Sequence, residues 1–198
     1  MTTPDCVSSW DYALRRLEGE LSPLLTYHGL AHTRDDVLPA AIRLAALEGV
    51  KGEDLNLLLT AVWYHDIGYI ENQTAGHETV SIRIASSVLP RFGFSRAQIR
   101  IIRGLIEVTQ IPQSPATHLQ EIMADADLDL LGRDDFWPLS QALRQETAAL
   151  GRPTTDLEWY SSQLAFLQAH HYFTTSANSL RAAGKQQNVE ALIRLLQT

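Results

Sequence analysis

Five of the seven histidines fall in or beside polar clusters: His28 and His32 in YHGLAHT, His65 in HDIG, His77 in GHE, and His118 ahead of ADADLD. His28 and His32 stand four apart, a spacing that puts both rings on one side of a helix, where they can converge on a single site. His65 and Asp66 are adjacent, about 100° apart on a regular helix, but a helix end that unwinds at Gly68 can aim both inward. That geometry suits a metal better than a helix cap. Taken singly, each feature has a structural explanation. A lone helical histidine such as His28 is more often half-buried and hydrogen-bonded than a ligand, and ADADLDLLG reads as an acidic helical turn with Leu128, Leu130 and Leu131 in the core. Taken together, a histidine, a His-Asp pair and a later aspartate lie in apolar helical sequence where unpaired charge is costly, which points to a shared ligand. Asp125, Asp127 and Asp129 compete for the last place.

The elements that must position these groups are helices. Apolar residues recur at three and four spacing almost throughout, and period-two alternation is hard to find, so the chain reads as one all-α domain over residues 1–198. A first helix is expected over about 5–21, with Trp10, Leu14, Leu17 and Leu21 on one face, and Ser22-Pro23 begins the next segment. A second is expected over HTRDDVLPAAIRLAALEG, with Thr33 and Asp36 spaced as a capping box, Gly49 as the stop and Pro39 forcing a late start or a kink. The third, GEDLNLLLTAVWYHD, ends by Gly68, which supplies backbone freedom for a turn. After the polar loop ENQTAG, helical periodicity resumes from about Thr74, and Ser95 caps the next helix. The loop QIPQSPATH leads to LQEIMADADLDLLG, then a helix closes near Gly151, and two more cover roughly 155–170 and 175–197.

Composition bounds the rest. With 198 residues, folding buries about 70% of the surface that the unfolded chain exposes, so a sizeable core is available. A hydrophobic share of 45% and a charged share of 20% are ordinary for a globular protein. The single cysteine, Cys6, excludes an intramolecular disulfide framework. No run is long and apolar enough to span a membrane, and the N-terminal stretch MTTPDCVSSWDYALRR lacks the pattern of a signal peptide, so the cytoplasm is the expected compartment. A net charge of -7 argues against stable nucleic-acid binding and against affinity for anionic membranes. Arg96, Arg100 and Arg103 share a helical face, read as a solvated surface in preference to a phosphate site. Trp63, Tyr64, Tyr69 and Phe136 read as core or pocket wall.

The ordered set YHGLAHT, HDIG and ADADLDLLG resembles the signature of the HD-domain metal-dependent phosphohydrolase superfamily, an all-helical bundle with its metal site in the core. HETVSIRIA, LIEVT, LRQETAALGR and ANSLRAAG extend the likeness over most of the chain, towards the small stand-alone bacterial members. The resemblance implies His32, His65, Asp66 and Asp127 as metal ligands, Asp127 being preferred because Ala126-Asp127-Leu128 matches the family's ligand context. It implies His28 as a general acid, with Gly29 standing where cyclic-nucleotide phosphodiesterases have asparagine, and it makes Asp66 a catalytic group as well as a ligand. His77 and Glu78 follow the HD turn, where related proteins meet substrate phosphate or a second metal.

Such a ligand set suits a divalent ion, Mn, Fe, Co, Ni, Zn or Mg, that activates water against a phosphate ester of a small molecule or nucleotide. Homo-oligomeric assembly is compatible with all of this. Members that hydrolyse nucleoside monophosphates or guanosine alarmones carry an acidic residue three places after the HD aspartate, where this chain has Tyr69, and this speaks against both activities. Two other readings are carried: an HD-type di-iron oxygenase, which would recruit His77 and His118, and a non-catalytic metal- or nucleotide-binding module. Arg144 and Glu146, in LRQET, match a family feature and read by default as a helix–helix ion pair.

Overall fold

A computed structural model describes residues 3–197; Met1 and Thr2, which begin the stretch read as lacking a signal peptide, lie outside the described residues. Among the described residues there are nine α-helices and no strand: α1 (Cys6–Glu20), α2 (Leu38–Leu47), α3 (Gly52–Tyr64), α4 (His77–Val88), α5 (Arg96–Glu107), α6 (His118–Asp127), α7 (Phe136–Ala149), α8 (Asp156–Ala169) and α9 (Thr175–Leu196). The all-α expectation holds. Every residue of α3 from Leu57 to Tyr64 is buried. A helix apolar on all sides takes the centre, and α1, α2, α4, α5 and α6 pack around it.

The outer helices show the complementary pattern. In α5, Ile99, Ile102, Leu105 and Ile106 face inward while Arg96, Arg100 and Arg103 are exposed, in line with the solvated-face reading. Ser95 and Gln98 close the capping box at its start. On α1 the buried stripe is Cys6, Ser9, Ala13 and Leu17, rotated from the expected one. The small Ser9 and Ala13 let α1 approach α3, where the Tyr64 hydroxyl donates to the Ser9 carbonyl (3.1 Å) and Trp10 Nε1 donates to Thr60 Oγ1 (2.9 Å).

Four expectations need correcting. His28 and His32 do not share a helix, because the segment that Ser22-Pro23 begins is irregular and the chain turns helical only at Leu30. Thr33 makes no capping box, because it lies inside a π-helical stretch, His32–Val37, in which the Leu38 amide donates to the Thr33 carbonyl five residues back. Pro39 removes an amide from the ladder and crowds the preceding turn, and the wider register relieves that. The helix expected from Thr74 begins at His77, after Gly76 in the left-handed conformation (φ 89°). Gly68 lies in the expected turn but is not among the glycines with positive φ, so backbone freedom is not what it supplies. It sits in a 3-10 turn, Ile67–Ile70, where an added Cβ would lie 2.0 Å from the His77 carbonyl oxygen, so glycine is needed for close approach to α4.

A second close approach fixes the C-terminal pair, α8 and α9, to the body. Asp129–Gly132 forms a 3-10 turn directly after α6, and a Cβ on Gly184 of α9 would come within 2.1 Å of the Gly132 carbonyl oxygen. Backbone thus meets backbone beside the segment that carries Asp127.

Candidate metal centre

Three elements deliver four side chains to one point. His32 enters from the start of the π-helical stretch, His65 and Asp66 from the end of α3, and Asp127 from the last residue of α6. His65 Nε2 lies 3.3 Å from Asp66 Oδ2 and 3.4 Å from Asp127 Oδ1, and His32 Nε2 lies 3.6 and 3.4 Å from the same two oxygens. His65 Nδ1 is fixed 2.7 Å from the Val62 carbonyl, to which it donates, so in the neutral ring Nε2 carries the lone pair. That Nε2 is buried with no hydrogen-bond partner among the described residues.

The competition among the aspartates is resolved by what each touches. Asp125 accepts from the Phe173 and Thr174 amides (both 2.8 Å) and from Thr174 Oγ1 (2.7 Å), tying α6 to the start of α9. Asp129 accepts from Arg43 Nη2 (2.7 Å) and from Arg181 Nε and Nη2 (2.8 and 3.0 Å). Both are consumed by structure, and Asp127 alone of the three meets the histidines.

Electrostatics favour positive charge at this point. Burial pushes the His32 imidazole down, but hydrogen bonds to Asp127 and Asp36 and the charge of Asp66 outweigh it, raising the group to about 9. His65 goes well above its ordinary value in the same way, burial being overcome by Asp66 and Asp127. Burial raises the Asp127 carboxyl, yet the adjacent His32 and His65 imidazoles bring it to about 2, and Asp66 falls well below the carboxylate range against the same penalty. Two carboxylates therefore stay ionised in a buried site and draw protons onto the imidazoles. The imidazole nitrogens of His32 and His65 and a carboxylate oxygen of Asp66 lie within 4.8 Å of one another, a group that fits a divalent cation, with Asp127 Oδ1 3.4 Å from both imidazoles; a cation there would replace those protons.

Around this cluster the remaining sequence candidates separate. His77 Nε2 lies 3.1 Å from Asp66 Oδ1, and its Nδ1 lies 3.7 Å from Glu78 Oε2. Burial lowers the His77 group, but the Asp66 hydrogen bond and the Asp66 and Glu78 charges raise it overall. His118 is not part of the site: it is half exposed at the far end of α6, beside Glu48 and Glu121. Arg144 and Glu146 do not pair with each other. Arg144 joins α7 to α8 through Asp156 Oδ1 (2.7 Å), while buried Glu146 accepts the Tyr27 and His28 amides (2.8 and 2.9 Å) and lies 2.5 Å from His28 Nδ1.

The His28–Glu146 contact is one that sequence reasoning missed; the signal available was the glutamate of LRQET, 118 residues from its partner. Tyr69 also acquires a specific place. Its ring stacks on His28 (centroids 4.5 Å, 26°) and on His77 (3.9 Å, 21°), so the buried tyrosine separates the two histidines. Asp36 was unforeseen too: it lies 3.4 Å from His32 Nδ1 and pairs with Arg133, linking that imidazole to the Asp129 arginine cluster.

A cavity of about 240 Å³ opens from the cluster, reaching His28, His32, Asp66, Tyr69, His77 and Asp127 at one end. Residues 36–129 match the HD domain family model, a span that includes His65, Asp66 and Asp127 and begins just after His32. The fold is similar to the crystal structure of a predicted HD superfamily hydrolase from an uncultured Thermotogales bacterium, with a TM-score of 0.55 and 22% identity over 83% of this chain and 90% of that one. No curated protein matches the chain. A His-Asp pair at the end of a buried helix, met by a histidine before it and an aspartate after it, thus lies in a chain whose residues 36–129 match the HD domain model and whose all-helical fold is similar to that of a predicted HD superfamily hydrolase.

Proposed function

We propose that the protein is a metal-dependent phosphohydrolase in which His32, His65, Asp66 and Asp127 hold a divalent cation and His28 is the general acid. The observation that carries the reading is the juxtaposition, at one cavity reached by His32, Asp66 and Asp127, of the four-residue cluster with a histidine whose Nδ1 is bound by a buried glutamate. When bound, the cation supplies Lewis acidity, lowering the pKa of water towards about 7–9 and offsetting phosphoryl charge.

The chain's own groups do the remainder. Glu146 occupies His28 Nδ1, leaving Nε2 as the nitrogen free to deliver a proton to the departing alcohol oxygen. Tyr69, stacked on both rings, fixes the planes of His28 and His77 without bringing a charge of its own. His77, its protonated form favoured by Asp66 and Glu78, lines the same cavity and can donate to a phosphoryl oxygen. Asp66 bridges the two groups, one oxygen towards His65 and the other towards His77.

The di-iron alternative gains nothing from the position of His118, which is bound at the surface by acidic side chains. The deciding experiment is phosphate release from a panel of phosphomonoesters, phosphodiesters and nucleotides with Mn, Co and Mg added separately. His65→Ala and Asp66→Ala are expected to lose metal and activity together while keeping helical circular dichroism. Full metal occupancy in the double variant would overturn the ligand assignment, and an inert wild-type protein across the panel would overturn the reaction class.

A further inference from the structure

The wall of the cavity away from the histidines is apolar: Leu128, Leu131, Phe136, Leu139, Leu143 and Phe166 make up most of it. Ser140 and Gln163, whose Oγ and Oε1 lie 3.4 Å apart, provide one neutral polar spot. Among the described residues, none that lines this cavity is lysine or arginine. Arg152 reaches only a neighbouring, more superficial cavity of about 310 Å³, beyond the His28, Tyr69 and His77 wall.

These features restrict what can enter. About 240 Å³ accommodates roughly eight water-sized groups at about 30 Å³ each, enough for a phosphoryl group and a compact organic substituent. A larger substrate such as a nucleoside monophosphate would have to extend past the His28, Tyr69 and His77 wall that this cavity shares with the neighbouring one. Additional phosphates would enter without a fixed cation to meet them, and desolvating them unpaired is unfavourable. Apolar walls contiguous with the ligand cluster instead reward an apolar alcohol or aryl group next to the phosphoryl oxygen.

Resting on the phosphohydrolase reading, we infer that the substrate is the phosphate monoester of a compact, apolar alcohol or phenol, bound with its organic group between α7 and Phe166 and its phosphoryl group at His77 and the four-ligand cluster. Discrimination comes from the leaving group, and nucleotides are poor substrates because neither charge nor volume is provided for them.

Two measurements on the full-length, manganese-loaded protein test this. Isothermal titration with phenylphosphonate and methylphosphonate, neither of which can be hydrolysed at an ester, should give at least tenfold tighter binding of the phenyl compound, the scale on which apolar pockets discriminate. Initial rates should give phenyl phosphate at least tenfold higher kcat/KM than AMP. Leu139→Arg, which places a cation in the chamber from a half-buried position, should abolish the phenyl preference with metal content per chain unchanged. Equal affinity for the two phosphonates, or a preference for AMP, would overturn the inference even if the Leu139 variant failed to fold. Phenyl-selective binding without turnover of any ester would leave the chamber assignment standing and sink the phosphohydrolase reading; turnover that favours AMP would do the reverse.

Discussion

At the scale of single residues, the site depends on which atom of each imidazole is already taken. His65 gives Nδ1 to a carbonyl and His28 gives Nδ1 to a carboxylate, so each presents Nε2, one to the cluster and one to the cavity. Glu146 stays ionised although burial opposes it, because the His28 ring and the Tyr27 and His28 amides surround it. The two kinds of histidine should therefore separate on mutation. His28→Ala is expected to keep its metal and lose about 10²–10⁴ in kcat, the ordinary range for a general acid. Glu146→Gln should lower kcat with metal content unchanged, since it loosens the ring without touching a ligand. Metal analysis alongside steady-state kinetics checks both, and loss of metal from either variant would contradict the separation of roles.

At the scale of elements, positioning relies on close backbone approaches rather than on long side chains. The 3-10 turn after Asp66 lies against the start of α4 because Gly68 has no Cβ, and this contact brings His77 to Asp66. Gly68→Ala would push a methyl group into the His77 carbonyl, which can yield only by moving backbone. Overpacking of this kind costs about 3 kcal/mol at the upper end of its usual range, or about 6–12 °C in Tm for a chain of this length. Thermal unfolding measures the loss, and a fall in kcat/KM beyond that explained by the folded fraction would report displacement of His77. A Tm unchanged within about 2 °C would mean that the two elements are not held as tightly as the geometry requires. The arginine cluster around Asp129 has a related part at the other end of the site, since Arg133 also holds Asp36 beside His32.

At the scale of the whole molecule, the protonation of the metal-free site links folding to pH and to metal. His32 is raised from about 6.5 to about 9, so its contribution to the metal-free fold is fully present below about 6.5 and is lost as pH rises through about 9. Asp127, lowered from 3.8 to about 2, contributes above 3.8, and that contribution is lost as pH falls through about 2. The metal-free protein should therefore lose Tm between pH 7 and pH 9.5, and the metal-loaded protein should lose much less, because a cation takes over from the protons. Calorimetric titration of metal in buffers of different ionisation enthalpy should show proton release near pH 7 that shrinks above pH 9. Uptake with no proton release at pH 7 would contradict the charge state inferred for His32 and His65.

Much of this was legible in the amino-acid order. Three-and-four periodicity placed the helices, the Ser95 cap and Gly49 and Gly151 set several boundaries, and the His-Asp pair with His32 and Asp127 outlined the four side chains that the fold brings together, because these signals are local or tied to an ordered motif. Other features depend on contacts between distant segments and carry no local periodicity. Thr33 looked like a cap and became part of a π-helical stretch ahead of Pro39, and Gly68 looked like a source of backbone freedom for a turn and proved to be a packing contact. His118 looked close to the aspartates in sequence, yet the length of α6 carries it to the surface. Glu146 needed the fold to bring it across 118 residues to His28, and the apolar chamber needed α7 and α8 to close over the site. Sequence alone determined which residue types could bind a metal; tertiary packing decided which aspartate joins the histidines, because Asp125 and Asp129 are each taken up by hydrogen-bond donors from α9 and its neighbours while Asp127 is left facing the two imidazoles.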